Sequence, residues 1–217
     1  MKFQIATVSA GFVLATSALT IPKLVARGDA ADMIAQIAPT STSCAGADDD
    51  CRTNEQAAIP LITGMIEHGL NNSGPIAAVL ALTAFESQGY KYKKNVSPGR
   101  PGQGTSNMQM FKYNLQYAKS IPALQSQVKD IQESETDVNT MNKVRDLVKD
   151  DKYNFGSGPW FMATFCADAM DALLVGAGHE GNNVDDGFSK YMSCVGVTLD
   201  SERTAFWQRA KQAFGLK

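Results

Sequence analysis

The segment P-I-A-A-V-L-A-L-T-A-F, residues Pro75–Phe85, decides the fold class of this chain. Its side chains are apolar almost all round, which predicts a central helix buried on every side, and proline suits the first helical position. Glu86 follows directly. The stretch from there to Met110, E-S-Q-G-Y-K-Y-K-K-N-V-S-P-G-R-P-G-Q-G-T-S-N-M-Q-M, holds four glycines and two prolines and predicts a loop. A carboxyl group where a buried helix meets a loop is a candidate functional acid.

Helical periodicity extends along most of the chain, while strand signals are almost absent. Only Tyr90–Val96 alternates weakly, which allows one small hairpin. We therefore predict an all-α protein, α+β at most, with one domain over residues 44–217. Apolar residues at Ile59, Ile62, Ile66 and Leu70 mark the predicted inner face of the first long helix, and Trp160, Phe161 and Trp207 are expected in the core. The further helices are predicted at Glu55–Leu70, Asn107–Ser120, Asp137–Lys149, Trp160–Val175 and Ser201–Phe214.

The amino-terminal residues predict export. A short basic start, Met1-Lys2, precedes the uncharged stretch Ile5–Ala18, and small residues near its end suit signal-peptidase cleavage. We assign residues 1–20 to a signal peptide and residues 21–43, rich in Ala, Thr, Ser and Pro, to a flexible amino-terminal or pro-segment. The mature protein is expected outside the cell, without a membrane anchor and as a monomer.

Four cysteines in a secreted chain predict two disulfides, for which three pairings are possible. Cys44–Cys51 with Cys166–Cys194 gives the simplest topology. On the loop-entropy model the longer loop contributes about 3–4 kcal/mol and the shorter about 2–3 kcal/mol. The acidic triplet Asp48–Asp50 lies in the short loop, where a solvated turn is favoured over a cation site.

Composition limits the functional classes. The chain has 217 residues, is 44% hydrophobic, and carries 20 Lys+Arg against 22 Asp+Glu, a formal net charge of −2. This balance does not support a nucleic acid partner. With only His68 and His179 and no Cys-x-x-Cys pair, a zinc site is not expected, and we predict no metal and no cofactor.

Three short segments occur in a familiar order: Glu86-Ser87, then Asn107-Met108-Gln109-Met110, then Tyr153-Asn154-Phe155-Gly156. This order resembles the signature of goose-type lysozymes and bacterial lytic transglycosylases, which have a Glu-Ser pair, a Gly-Leu-Met-Gln-type segment and an Ala-Tyr-Asn-Ala-Gly-type segment. The loop Pro98–Thr105 is similar to that of secreted fungal lysozyme-like muramidases. The resemblance is confined to three separate segments that together cover about a third of the chain.

The resemblance implies a lysozyme-like fold and cleavage of peptidoglycan at the MurNAc-GlcNAc β-1,4 bond. Glu86 would be the general acid, with apolar neighbours favouring its protonated form. Ser87 would bond near the substrate, and Asn107 and Gln109 would meet sugar N-acetyl groups or hold the acid. Tyr153, supported by Asn154, would bring its hydroxyl to the acid. Taken singly, these residues are also typical of a helix cap, a helix surface or a core edge.

One departure from the family pattern concerns the second acid. Residues 88–127 contain no Asp or Glu, whereas an inverting glycosidase needs a second carboxylate about 6.5–9.5 Å away and a retaining one about 5–5.5 Å away. Asp150 and Asp151 are the candidates, with a solvated helix terminus as their ordinary alternative. Without a second acid, assistance by the substrate N-acetyl group or lytic transglycosylase chemistry remains open.

Basic residues near this segment suit an anionic polymer such as peptidoglycan, although such a cluster is also typical of a solvated loop. Two other functions remain open: a chitosanase or chitinase on the same fold, and a non-catalytic secreted sugar-binding or effector protein. The basic residues are Lys91, Lys93, Lys94 and Arg100.

Overall fold

A computed structural model describes residues 27–217, so the predicted signal peptide, residues 1–20, lies outside the described part of the chain. The described part is an all-α single domain, which confirms the predicted fold class. It contains no regular strand. In place of the possible hairpin at Tyr90–Val96 there are two isolated antiparallel bridges, Lys94–Gly104 and Gly104–Gln109.

Most predicted helices are present, with differences at their ends. The helix expected from Asn107 begins only at Phe111, because residues 105–109 turn and take part in a bridge. The long helix expected at Trp160–Val175 is interrupted at Cys166. The helices are α1 Arg27–Ile37, α2 Asn54–Glu67, α3 Ser73–Glu86, α4 Phe111–Ser120, α5 Pro122–Val128, α6 Val138–Val148, α7 Asp151–Asn154, α8 Ser157–Phe165, α9 Ala167–Leu173, α10 Val184–Val195 and α11 Ser201–Phe214, with a short 3-10 turn at Pro39–Thr42.

Helix α3 lies at the centre of the fold, as predicted. Residues 74, 75 and 77–84 are all buried, because their side chains are small or apolar on every face. The Asn72 side chain caps the helix by accepting a hydrogen bond from the backbone N–H of Gly74 at 3.2 Å. Helix α11 packs along α3, where the rings of Phe85 and Phe206 meet edge-on at 5.6 Å. This packing fixes the carboxyl end of α3.

The expectation of a flexible segment is wrong for residues 27–43. They form α1 and the short 3-10 turn, with Ile34 and Ile37 only 3% and 1% exposed. Arg209 Nε on α11 donates a hydrogen bond to the carbonyl of Ile37 at 2.7 Å. Composition pointed to disorder, but two isoleucines at helical spacing among alanines are enough to dock a helix on the core.

The predicted inner face of α2 is also wrong in part. Ile59 and Ile66 are 46% and 65% exposed, although Leu70 just beyond the helix is buried. Small residues face the core instead, and a Cβ on Gly64 would lie 2.8 Å from the Cα of Gly156. Helices that approach this closely need small side chains at the contact, which hydrophobicity alone does not reveal. The buried positions of α2 are Asn54, Ala57, Ala58, Leu61, Gly64 and Met65.

Both predicted disulfides are formed, Cys44–Cys51 and Cys166–Cys194, and disulfides are typical of proteins from oxidising compartments. Trp160, Phe161 and Trp207 are buried as expected, at 7%, 4% and 2% exposure. Within residues 27–217, every helix falls short of the length and hydrophobicity that a bilayer crossing requires.

Candidate functional site

Glu86, the last residue of α3, lines a cleft of about 210 Å³. Its side chain is 21% exposed. The loop over residues 100–110 forms one wall, and residues 195–197 after α10 form another. Asn107 and Gln109 line the same cleft, so the structure brings together three of the predicted site residues. The remaining lining residues are Leu82, Arg100, Gln103, Met108, Met110, Tyr113, Phe161, Val195, Gly196 and Val197.

Buried amide side chains hold the loop wall in place. Asn114 Nδ2 on α4 donates to the carbonyls of Gly102 at 2.8 Å and Gln109 at 3.1 Å. Asn154 Oδ1 accepts from the backbone N–H of Ser106 at 2.9 Å, and its Nδ2 donates to the Ser106 hydroxyl at 2.7 Å. The loop is therefore organised before any ligand binds.

Two residues of this loop adopt a backbone conformation that side chains disfavour. Thr105 and Met108 have φ angles of 64° and 45°, in the left-handed region that costs a non-glycine residue energy. The backbone N–H of Thr105 donates to the carbonyl of Lys93 at 2.8 Å, and the Ser157 hydroxyl donates to Thr105 Oγ1 at 2.8 Å. Such conformations persist where the surroundings impose them and occur often at ligand sites.

Asn107 and Gln109 are more than nine-tenths buried, at 8% and 5% exposure, and leave polar atoms without partners. Asn107 Nδ2 donates to Gln109 Oε1 at 3.2 Å. Asn107 Oδ1 and Gln109 Nε2 have no hydrogen-bond partner within the described residues, and neither does Gln103 Oε1. Exchanging N and O in both amides would again leave one donor and one acceptor free. The pair suits a ligand that offers both, such as an amide group.

The carboxylate of Glu86 is paired with a cation. Arg203 Nη2, on α11, donates to Glu86 Oε1 at 2.9 Å, and its guanidinium also lies 4.4 Å over the ring of Phe85. Met108 and Met110 line the same cleft, but the acid does not sit in the purely apolar surroundings that we expected. Sequence reasoning missed Arg203 because it follows 117 residues later, in a helix with no motif that points to the cleft.

Three other predicted site residues do not line the cleft. Ser87 is fully buried; its hydroxyl donates to the carbonyl of Thr83 at 2.6 Å and accepts from the N–H of Tyr90 at 2.9 Å. This bonding completes the end of α3 and leaves no role at a substrate. Tyr153 is half-buried, with Lys152 Nζ 5.2 Å from its ring centroid, and it forms no hydrogen bond with Glu86. Asn154 supports the site only through the loop.

The two candidate second acids also lie elsewhere. Asp151 pairs with Arg52 at 2.5 Å and with Lys93, and the Asp150 side chain caps α7 by accepting from the N–H of Lys152 at 3.0 Å. Both therefore have structural roles: Asp150 matches its alternative, an exposed helix terminus, whereas Asp151 takes part in ion pairs. Among the described residues, Glu86 is the one carboxylate that lines the cleft.

A larger groove of about 1030 Å³ lies beside the Cys166–Cys194 disulfide, between α9 and α10. It shares no lining residue with the cleft and contains none of the predicted catalytic or substrate-binding residues. We place the candidate site in the smaller cleft, because that is where Glu86 occurs together with buried amides that lack partners.

Sequence comparison gives one partial relationship. A Fusarium oxysporum (strain Fo5176) protein named bifunctional dioxygenase (DOX)-epoxy alcohol synthase (EAS) is 47% identical over 163 residues. The match covers 74% of this chain and 12% of that protein, so the chain spans only about an eighth of the length of this curated relative. No protein-family model and no solved structure matches the chain. The comparisons therefore do not assign the chain to a family.

Proposed function

We propose that this protein is a secreted glycoside hydrolase of lysozyme type that cleaves peptidoglycan, with Glu86 as the general acid. The observation that carries the proposal is the cleft itself: Glu86, the one carboxylate among the described residues that lines it, shares the cleft with Asn107 and Gln109, whose buried amides leave a donor and an acceptor unpartnered. N-acetylated sugars offer the amide donor and acceptor that these groups need. The two disulfides support export.

The proposed chemistry begins with proton transfer from the Glu86 carboxyl group to the glycosidic oxygen as the bond between C1 and that oxygen breaks. The cleft lacks a second carboxylate among the described residues. The carboxylate of Glu86 would then take the proton of the attacking group, which is either water or the C6 hydroxyl of the same sugar. Water gives a reducing end, and the C6 hydroxyl gives a 1,6-anhydro ring, as in lytic transglycosylases.

A non-catalytic sugar-binding protein is the second candidate. It is favoured by the Glu86–Arg203 ion pair, because the hydrogen bond from Arg203 occupies one oxygen of the carboxyl group that a general acid would present to the glycosidic bond. The cleft volume of about 210 Å³ also lies below the roughly 300 Å³ at which drug-sized ligand sites begin. The name of the Fusarium relative describes a far longer protein, of which this match is 12%, and provides no argument for either candidate.

The test is the Glu86→Gln variant, assayed on purified peptidoglycan. If Glu86 is the acid, turnover falls by about 100- to 10,000-fold while the circular dichroism spectrum and substrate affinity are kept. Glu55→Gln is the matched control, because Glu55 is exposed in the first turn of α2 and lies outside the cleft. Equal turnover of Glu86→Gln and the parent would remove Glu86 from the mechanism.

The parent protein is assayed in parallel on chitin and chitosan. Preferential turnover of either polymer would identify that polymer as the substrate in place of peptidoglycan. Glu86 would still be the proposed general acid. Binding of peptidoglycan without turnover of any of the three polymers would favour the sugar-binding protein. Mass spectrometry of the muropeptides separates the two product types, since the anhydro product lacks one water.

A further inference from the structure

Two segments of the chain have the pattern Asn-x-Ser of an N-glycosylation acceptor, Asn71-Asn72-Ser73 and Asn95-Val96-Ser97. In such a segment the side-chain amide nitrogen of the asparagine receives the sugar, and the hydroxyl group two residues later is required with it. The pattern is the same in both segments, but their surroundings in the fold differ.

Asn71 is exposed and its side chain is unoccupied. It lies between α2 and α3, and its amide group forms no hydrogen bond within residues 27–217. The loop beside it is open, since a Cβ on Gly69 would meet nothing within 4 Å. The neighbouring Asn72 fixes the backbone here, because its side chain bonds to the N–H of Gly74 and to the backbone of Val175. The amide of Asn71 is therefore accessible on an ordered segment.

Asn95 is instead held inside a turn. Its Oδ1 accepts hydrogen bonds from the backbone N–H groups of Gly99 at 2.7 Å and Arg100 at 3.2 Å, and the residue is partly buried. Pro98 follows Ser97 directly, and a proline restricts the residue before it to extended conformations. Both features disfavour the approach of the asparagine amide to the serine hydroxyl that an acceptor segment needs.

We propose that Asn71 is the residue of this chain that accepts an N-linked glycan, and that Asn95 remains unmodified. The transfer forms a bond between Asn71 Nδ2 and C1 of an N-acetylhexosamine, while the bond from that C1 to the phosphate of a lipid-linked diphosphate sugar breaks. The lipid diphosphate is the leaving group, the displaced amide proton passes to a base of the transferase, and nothing is oxidised or reduced. The inference rests on the proposed export, which the two disulfides support, and is independent of the chemistry at Glu86.

A glycan on Asn71 would lie at the end of α3 opposite to Glu86. Helix α3 spans 14 residues, Ser73–Glu86. A helix rises about 1.5 Å per residue, so its two ends are about 20 Å apart. Asn71 is not among the residues that line the cleft, whereas Asn95 bonds to the backbone of Arg100, which lines it. A glycan on Asn71 therefore leaves the cleft open.

The experiment expresses the chain in yeast, in one arm with its own amino-terminal residues and in the other with a yeast leader in place of residues 1–20. The purified protein is treated with peptide N-glycosidase in heavy-oxygen water, which leaves a heavy-oxygen aspartate at each glycosylated asparagine, and is mapped by mass spectrometry. We expect the label at position 71 in most molecules and its absence at position 95. Ser73→Thr should keep the label, whereas Asn71→Gln and Ser73→Ala should lose it.

Asn95→Gln is the matched control, because it removes the other acceptor segment and should keep the label at position 71. Asn71→Gln should keep the circular dichroism spectrum of the parent, since the Asn71 side chain forms no hydrogen bond within the described residues. This comparison separates loss of the acceptor from loss of the fold.

An unlabelled position 71 behind the yeast leader, or a position 95 labelled as fully as position 71, would overturn the proposal. Failure of the proposed function gives different patterns. A label that forms behind the yeast leader alone would keep Asn71 as the acceptor and remove the proposed export. A labelled protein that turns over no polymer would keep Asn71 and remove the proposed reaction.

Discussion

Arg203 forms an ion pair with the candidate acid, Glu86. Its Nη2 donates to Glu86, while its Nη1 donates to Asp200 Oδ2 at 2.5 Å, and its guanidinium lies over the ring of Phe85. The side chains of Arg203 and Glu86 are 15% and 21% exposed. The ion pair is thus shielded from solvent on most sides and positions the carboxylate at the cleft.

We predict that Arg203→Gln lowers kcat/KM on peptidoglycan by about 10- to 100-fold, because the guanidinium that holds the Glu86 carboxylate at the cleft is lost. The change should also lower the free energy of unfolding by about 1–3 kcal/mol. The measurements are kcat/KM at a single pH and urea unfolding of each variant. Arg203→Lys should restore activity in part.

Arg209→Gln is the control for Arg203→Gln. Arg209 is on the same helix, lies 4.3 Å over the ring of Phe206 and donates to the carbonyl of Ile37, but makes no contact with Glu86. Its replacement should reduce stability while kcat/KM stays close to that of the parent. Equal kcat/KM for the parent and both variants would show that Arg203 is only structural.

At the scale of elements, the position of α3 depends on a close backbone contact at its amino-terminal end. A Cβ on Gly74 would lie 1.8 Å from the carbonyl oxygen of Leu173, at the end of α9. The Asn72 side chain joins the same two segments, since Nδ2 donates to the carbonyl of Val175 at 2.8 Å and Oδ1 accepts from its N–H at 3.1 Å. Any side chain at position 74 must therefore separate α3 from α9.

Gly74→Ala should lower the free energy of unfolding by about 1–3 kcal/mol or more, because the clash is with backbone that cannot rotate away. The urea midpoint with an unchanged slope is the measurement. Gly181→Ala is the control, since a Cβ there meets nothing within 4 Å. Equal midpoints for the two variants would contradict the packing of α3 against α9.

At the scale of the whole molecule, a network of ion pairs joins parts of the chain that lie far apart in sequence. Asp50, in the loop closed by the Cys44–Cys51 disulfide, pairs with Lys94 and with Lys149, each at 3.4 Å. Burial opposes the ionisation of Asp50, but these two cations outweigh it, so the pKa of the Asp50 carboxyl group lies below its usual value. The acidic triplet is therefore more than a solvated turn: Asp50 is 9% exposed.

The lowered pKa of Asp50 predicts how stability depends on pH. The folded state stabilises the ionised form of Asp50 more than the unfolded state does. The contribution of Asp50 to the free energy of unfolding is therefore complete above the unfolded pKa and is lost as the pH falls through the folded pKa. Asp50→Asn should therefore be less stable than the parent at pH 7, and the difference should shrink below about pH 4. Urea midpoints at pH 7, 5 and 3 measure it.

Asp49→Asn is the control for Asp50→Asn. The Asp49 side chain is exposed and forms no ion pair within the described part of the chain. The Asp49→Asn variant should differ little in stability from the parent protein, and this difference should not depend on pH. A constant difference across the three pH values for Asp50→Asn would show that the network contributes nothing through ionisation.

The sequence by itself determined the all-α class, the buried helix α3 and the position of Glu86 at the end of α3, and it favoured the disulfide pairing that is formed. These follow from local periodicity, from the turn residues after Glu86 and from the small number of possible cysteine pairings, all of which act over short stretches of chain. The location of Asn107 and Gln109 in one cleft with Glu86 was also expected, although from a resemblance and not from periodicity; their roles stay a prediction.

Only the tertiary structure decided the rest. The inner face of α2 depends on the glycine contact with residue 156, and the order of residues 27–43 depends on the surface that α11 offers them. Arg203 contacts Glu86 from another helix, Tyr153 is not among the residues that line the cleft, and of the four neighbouring cations Arg100 lines it. Each outcome is a contact between distant segments. Charge and packing act over a few ångströms in space, and the order of residues along the chain does not state which of them will be that close.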